Sequence, residues 1–325
     1  MTIHELNEIL IGINSVKVGV VGDFCVDIYW KADMTKSELS KETPHFPLPV
    51  TSEVFSPGAA GNVAANMAAL RPALIRCVGV RGDDWRGTLL DRALRSKGVN
   101  AELITVPGRF TNAYCKPLRA GISNVVYEDP RIDFESFDPI DARTEDRLLT
   151  AIDELVSDVD IIAVCDQFRC GAITPRVREK LNGMTLNGTK IIVDSRYHIE
   201  KFRGMFLKPN EFECADALGQ PPENYELNAK LLASDTHGTV IETLGAKGSL
   251  ITNGQYLKYI PAVQVNGEID ICGAGDTSLA ALTLSLGAGF NLIKCAELAA
   301  AASAVTIQKI GETGTASPEE LMRMV

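Results

Sequence analysis

Asp160-Ile161-Ile162-Ala163-Val164, Lys190-Ile191-Ile192-Val193 and Gly238-Thr239-Val240-Ile241-Glu242-Thr243 form the run whose spacing decides the fold. Each is a short β-branched stretch bounded by polar residues or glycine, the pattern of a strand buried on both faces. Helical patterning separates them, near residues 144 to 157 and 174 to 186. Alternation of this kind predicts a mostly parallel sheet covered by helices on both sides, a three-layer α/β/α architecture. Upstream, Val18-Gly19-Val20-Val21, ended by Gly22-Asp23, reads as one more buried strand. Ligands of such sheets sit beyond the carboxyl ends of the strands. Asp23, Asp27, Asp166, Asp194 and the loop around Asn210 therefore collect on one rim.

Outside this frame the pattern changes. From about 25 to 50 and again from about 112 to 135, short alternating stretches such as Ile122-Ser123-Asn124-Val125-Val126-Tyr127 read as exposed antiparallel strands. Because they flank a helical segment, they are expected to meet as a small β-sheet lid on a single domain spanning residues 1–325. The chain closes with alanine-rich helices over 276 to 286 and 291 to 309, then a short helix opened by the capping box Ser317-Pro318-Glu319-Glu320.

Composition removes several function classes. No apolar run approaches the roughly 20 residues of a spanning helix, and Met1-Thr2-Ile3-His4-Glu5 carries acid where a signal peptide carries base, so a cytoplasmic location is expected. The eight cysteines show no Cys-x-x-Cys pair and no histidine partners, which predicts reduced, buried thiols and no zinc site. A net charge of −10 without a dense basic tract opposes a nucleic-acid surface.

Gly273-Ala274-Gly275-Asp276 precedes a helix of small residues, so unpaired N–H groups and the positive end of the helix dipole converge on one spot. That is an anion site, and an adjacent aspartate can take a proton from an attacking hydroxyl. Taken alone, the tetrapeptide reads sooner as a plain turn with a capping aspartate than as a catalytic element. A dinucleotide fingerprint, Gly273-x-Gly275-x-x-Ser278 with Glu297 downstream, fails because Glu297 falls inside a helical pattern. No P-loop motif occurs. A second turn, Pro57-Gly58-Ala59-Ala60-Gly61-Asn62, runs into another small-residue helix, where an amide at Asn62 is placed to read hydroxyls.

Together, Gly58-x-x-x-Asn62-Val63-Ala64 and the Gly-Ala-Gly-Asp turn resemble the two signatures of the ribokinase-like (PfkB) carbohydrate kinases. Lys208-Pro209-Asn210-Glu211-Phe212-Glu213 resembles the family's Asn-x-x-Glu element, and Thr243-Leu244-Gly245-Ala246-Lys247-Gly248 its nucleotide turn. Four elements in order cover nearly the whole chain. Gly22-Asp23-x-x-x-Asp27-x-Tyr29-Trp30, Ser40-x-Glu42-x-Pro44 and Arg131-Ile132-Asp133-Phe134-Glu135 carry the likeness further, towards kinases of D-glycero-β-D-manno-heptose 7-phosphate. Such kinases are often fused to a nucleotidyltransferase bearing His-x-Gly-His; none of the four histidines here fits one, so a stand-alone kinase is expected.

The resemblance implies a ribokinase-like fold and transfer of a phosphoryl group from ATP, with Mg²⁺, to a sugar or sugar-phosphate hydroxyl, O1 of heptose 7-phosphate being the favoured acceptor. Asp276 becomes the base and the N–H groups of Gly273, Ala274 and Gly275 the anion hole. Asp27, Gly58 and Asn62 become sugar ligands, joined by Asp133. Lys208, Asn210, Thr243, Gly245, Lys247 and Gly248 fall to the nucleotide, and Glu213 with Asn210 to the metal, through water. Lys116, Arg119 and above all Arg131 are the cations for a second phosphate. Lid strands in the family pair between subunits, which implies a homodimer. Ala59 and Ile271 depart from the usual glycine and threonine. A kinase of a hexose or nucleoside, or a catalytically silent sugar-binding regulator, remains open at this level.

Overall fold

The computed structural model describes residues 1–123, 125–311 and 313–324. Its strands are β1 (Lys17–Asp33), β2 (Val50–Ala59), β3 (Leu74–Gly82), β4 (Ile104–Val106), β5 (Ala113–Ala120), β6 (Val126–Glu128), β7 (Ile132–Phe134), β8 (Ile161–Asp166), β9 (Ile191–Ser195), β10 (Phe206–Leu207), β11 (Thr239–Thr243), β12 (Ser249–Thr252) and β13 (Leu257–Ile260). The main sheet runs β13-β12-β11-β10-β9-β8-β1-β3-β4. From β11 to β4 every pairing is parallel, and β12 and β13 close that edge antiparallel. The three quoted stretches are β8, β9 and β11. Their continuous apolar character has the expected cause. Ile161 and Ala163 pack into one core while Ile162 and Val164 pack into the other, and Ile192 and Val193 divide likewise. Helices Ile3–Ile13, Ala60–Ala69, Ala274–Gly287 and Leu292–Thr306 cover the first face; Ala142–Val156, Pro175–Leu186 and Tyr225–Thr236 cover the second.

The decisive departure from the sequence reading is the length of β1. Gly22-Asp23, read as a strand end, is instead a crossing point through which one strand serves two sheets. Lys17–Asp23 pair with β3 in the main sheet, while Phe24–Ala32 pair antiparallel with β2. A Cβ at Gly22 would stand 2.2 Å from the Cys165 carbonyl oxygen, so only glycine lets β1 pass β8 this closely. Asp23 holds the crossing. Its buried carboxylate accepts the backbone N–H groups of Gln167, Phe168 and Ala172 (2.8, 2.8 and 2.6 Å).

The second sheet contains the end of β1 with β2, β5, β6 and β7. Val26–Asp33 and Ala113–Ala120, from the two stretches read as antiparallel strands, pair parallel to each other. Residues 37–49 carry no strand; the partner strand β2 starts only at Val50. Asn124, inside the predicted strand Ile122 to Tyr127, lies outside the described residues. Among the described residues no helix is long and apolar enough to cross a membrane.

Candidate active site

The site lies where the first turn of helix Ala274–Gly287 faces Asp27, midway along β1, and Asp194, at the carboxyl end of β9. Asp270 shapes the turn. Its carboxylate accepts N–H groups from Cys272 (2.9 Å) and Gly311 (3.1 Å), and its own N–H donates to Ile307 (2.8 Å). Gly273 then takes φ 80°, and a Cβ there would press on Thr313 and on the Asn62 amide, 2.9 and 3.0 Å away. Of the three expected anion-hole donors, Ala274 closes the turn, its N–H reaching the Ile271 carbonyl at 3.2 Å.

Asp276 follows immediately. Asn62 Nδ2 donates to its Oδ2 at 2.6 Å, and Asn62 is itself fixed by Asn66, which accepts from Thr277 Oγ1 at 2.8 Å. Asn62, read as a sugar ligand, thus also holds the carboxylate that the sequence marks as a base. Burial drives the Asp276 pKa up to about 7; the Asn62 bond opposes this and Asp194 adds to it. A carboxylate poised near neutrality is suited to accepting a proton.

Across the turn stands Lys208, whose Nζ is buried and bonded to Asp194 at 2.7 Å. The ammonium lies 3.9 Å from where a Cβ on Gly275 would sit, beside the glycine turn. Burial opposes its charge, but Asp194, Glu213 and Asp276 outweigh it and raise its pKa. Asp194 received no role from the sequence beyond its place on the rim. The strand-end rule located it; only the fold reveals Lys208 as its partner.

Asn210 and Glu213 form a capping box. Asn210 Oδ1 accepts from Phe212 and Glu213 (2.9 and 2.8 Å), and Glu213 Oε2 accepts the Asn210 N–H at 2.9 Å. Burial and then Asp194 push Glu213 up to about 7. The adjoining nucleotide turn is joined through an Asn210–Thr243 bridge, with Thr243 N–H on the Pro209 carbonyl at 2.9 Å. Gly245 and Gly248 close the turn with φ 55° and 98°, and Leu244 N–H meets the Gly248 carbonyl at 2.8 Å. The Lys247 ammonium rests 5.0 Å over the Tyr225 ring.

Asp27 is buried on β1 opposite Ser56, and a Cβ on Gly58 would stand 3.1 Å from its Oδ1. Burial raises it to about 6 against the pull of Lys116 and Arg131. Arg131 is bidentate on Asp133 (2.6 and 2.7 Å) and 4.1 Å over the Tyr114 ring, while Arg119 pairs with Asp129 at 2.6 Å. Lys116 reaches Tyr29 Oη at 3.3 Å and Cys272 Sγ at 3.5 Å. The two arginines expected to meet a phosphate are therefore spent on carboxylates.

Ala59 departs from glycine at a cost. It sits at φ 49°, ψ −127°, where a Cβ is disfavoured. Such strain costs about 1–3 kcal/mol, and glycine's extra unfolded entropy offsets roughly 1 of it. Ala59→Gly is accordingly expected to raise stability by about 1 kcal/mol, seen as a higher urea midpoint at unchanged slope. A lowered midpoint would show that the surrounding turn has relaxed around the methyl group.

A family model described as "pfkB family carbohydrate kinase" matches residues 17–320. Curated relatives include the bifunctional protein HldE of Trichlorobacter lovleyi, 30% identical across 96% of this chain and 63% of that protein. HldE of Wolinella succinogenes is 32% identical across 93% of this chain and 63% of its own. The chain spans less than two thirds of the length of these relatives. Among solved structures, phosphofructokinase-2 from Escherichia coli in complex with fructose-6-phosphate superposes with TM-score 0.75 at 17% identity, covering 95% of this chain and 98% of that one. Arabidopsis thaliana ribokinase complexed with ribose and ATP gives 0.71 at 22%, with the same coverages.

Proposed function

Because the chain belongs to the pfkB family of carbohydrate kinases and has their ribokinase-like fold, we propose that this phosphotransferase moves the γ-phosphoryl of ATP to a sugar phosphate, O1 of heptose 7-phosphate being the acceptor. The observation that carries this reading is the Asn62–Asp276 bond at the start of a helix, with Lys208 across the glycine turn. Asp276 takes the proton of the sugar hydroxyl as its oxygen attacks the γ-phosphorus, and ADP departs with the electron pair of the broken P–O bond. Lys208 and the remaining N–H groups of the turn stabilise charge on the transferred group. Asp27 and Gly58 bind the sugar. Thr243, Gly245 and Gly248 bound the nucleotide.

Mg²⁺ fits this site in one way. No cluster of three metal-binding side chains exists among the described residues, and one Glu213 oxygen is held by the capping box. Magnesium keeps several waters and uses one or two carboxylates with substrate phosphates. Glu213, with Asn210 beside it and Asp194 near, would hold the hydrated ion, which neutralises phosphate charge when bound. The second sheet acts as a lid that excludes water, and its exposed Val50, Val54, Val126 and Ile132 support a homodimer formed through it.

Substrate-dependent ADP release across a panel tests the acceptor. Heptose 7-phosphate is expected to exceed fructose 6-phosphate, ribose and adenosine in kcat/KM by at least about tenfold. Preference for the nucleoside or for an unphosphorylated sugar would reject the reading.

A further inference from the structure

Besides Lys116, which meets Tyr29 and Cys272 but no carboxylate, two further cations at this rim lack a counter-ion among the described residues, and the sequence singled out neither for a second phosphate. Arg169 follows β8 and Arg196 follows β9, both exposed. Their guanidinium carbons lie 4.3 and 5.6 Å from the centroid of one ring, that of Tyr197. Among the described residues neither has a carboxylate within ion-pair distance, although acids sit close by in the chain. Those acids are turned inward: Asp194 pairs with Lys208, and Asp166 accepts from Ser195 Oγ at 2.7 Å and lies 3.7 Å from the Arg178 guanidinium.

The loop that carries Arg169 is tied to both halves of the site. Gln167 Nε2 donates to Asp194 Oδ1 at 3.3 Å, linking the loop to the Lys208 pair. Phe168 packs on Tyr114 with ring centroids 6.1 Å apart, and Tyr114 stands beside Asp27 in the β1–β5 register. A molecule anchored at Asp27 and reaching outward thus meets the ends of β8 and β9. Guanidinium groups recognise phosphate through paired hydrogen bonds, and a ring between two of them holds both planes in place without neutralising them.

We infer that Arg169 and Arg196, steadied by Tyr197, receive the distal phosphate of the acceptor, so that the enzyme selects a phosphorylated sugar over its unphosphorylated counterpart. This rests on the sugar-phosphate reading above. The test compares kcat/KM for heptose 7-phosphate with that for the same heptose lacking the phosphate, in the unmodified enzyme, Arg169→Ala, Arg196→Ala, the double variant and Lys116→Met. Taking the ratio within one preparation cancels loss of folded protein, and Arg→Gln replacements serve where alanine prevents folding. The ratio should fall about 30-fold in each arginine variant and further in the double. An unmodified enzyme with no preference for the phosphorylated sugar would reject the acceptor reading itself. Retained preference in both arginine variants, with or without loss in Lys116→Met, would overturn this inference alone, as would a rise confined to the KM for ATP.

Discussion

Asp276→Asn is expected to lower kcat by about 10²- to 10⁴-fold, the range a positioned general base contributes, while making the protein harder to unfold above neutral pH. Both effects come from one burial. The carboxyl sits in a setting that favours its neutral form, which raises it to about 7 from an ordinary 3.8. A folded-state pKa above the unfolded value means that the native protein binds the extra proton between those limits. Stability from this group is therefore present at low pH and declines as pH rises from about 4 through 7. Asparagine removes that decline and can still accept from Asn62 Nδ2, so the turn is kept. In the unmodified enzyme, kcat/KM should rise with pH along an acid limb centred near 7, since that parameter reports the free enzyme. Steady-state rates and thermal melts at pH 6 and 8 check both halves. Turnover within tenfold of the unmodified enzyme would remove Asp276 from the chemistry.

The sequence announced most of the main sheet because β8, β9 and β11 are buried on two faces, and double burial forces continuous apolar runs. It announced the glycine turn because a close approach at Gly273 excludes a side chain. It missed features decided by partners far away in the chain. Gly22-Asp23 looks like a turn, yet Asp23 is satisfied by N–H groups of residues 167–172, and the strand continues to Asp33. Arg131 looks like a phosphate ligand until Asp133 is seen beside it. That pairing was legible two residues away and was outweighed by the family likeness. Arg169 and Arg196 carry no local signal, because what distinguishes them is the inward turn of Asp166 and Asp194. Asn210 and Glu213 show that two readings can coexist: their spacing makes a capping box and also leaves Glu213 among the acids of the site.

Lys208→Met should produce the other large effect, and it separates charge from packing. Methionine nearly matches the lysine stem, so little volume is lost at this buried position. What disappears is the ammonium between Asp194 and the glycine turn. Breaking a buried pair by removing one partner costs about 3–5 kcal/mol, because the remaining charge is stranded. Asp194 is that stranded charge, with Glu213 and Asp276 close enough to repel it. Glu213 and Asp276, which lose the downward pull of the ammonium, then hold protons to higher pH, so the acid limb of the rate profile moves upward, a shift that loss of an unrelated contact would not produce. Phosphoryl transfer should drop by about 10²- to 10³-fold, the usual cost of losing one stabiliser of transition-state charge. Asp194→Asn in the same chain removes the stranded carboxylate. The double variant should regain much of the stability and little of the rate, since the phosphate still lacks its cation. Chemical denaturation and steady-state kinetics on the four members of this cycle give the coupling directly. Recovery of both together would make Lys208 a structural counter-ion only, and would move the charge stabilisation to the N–H groups of Gly273 and Gly275.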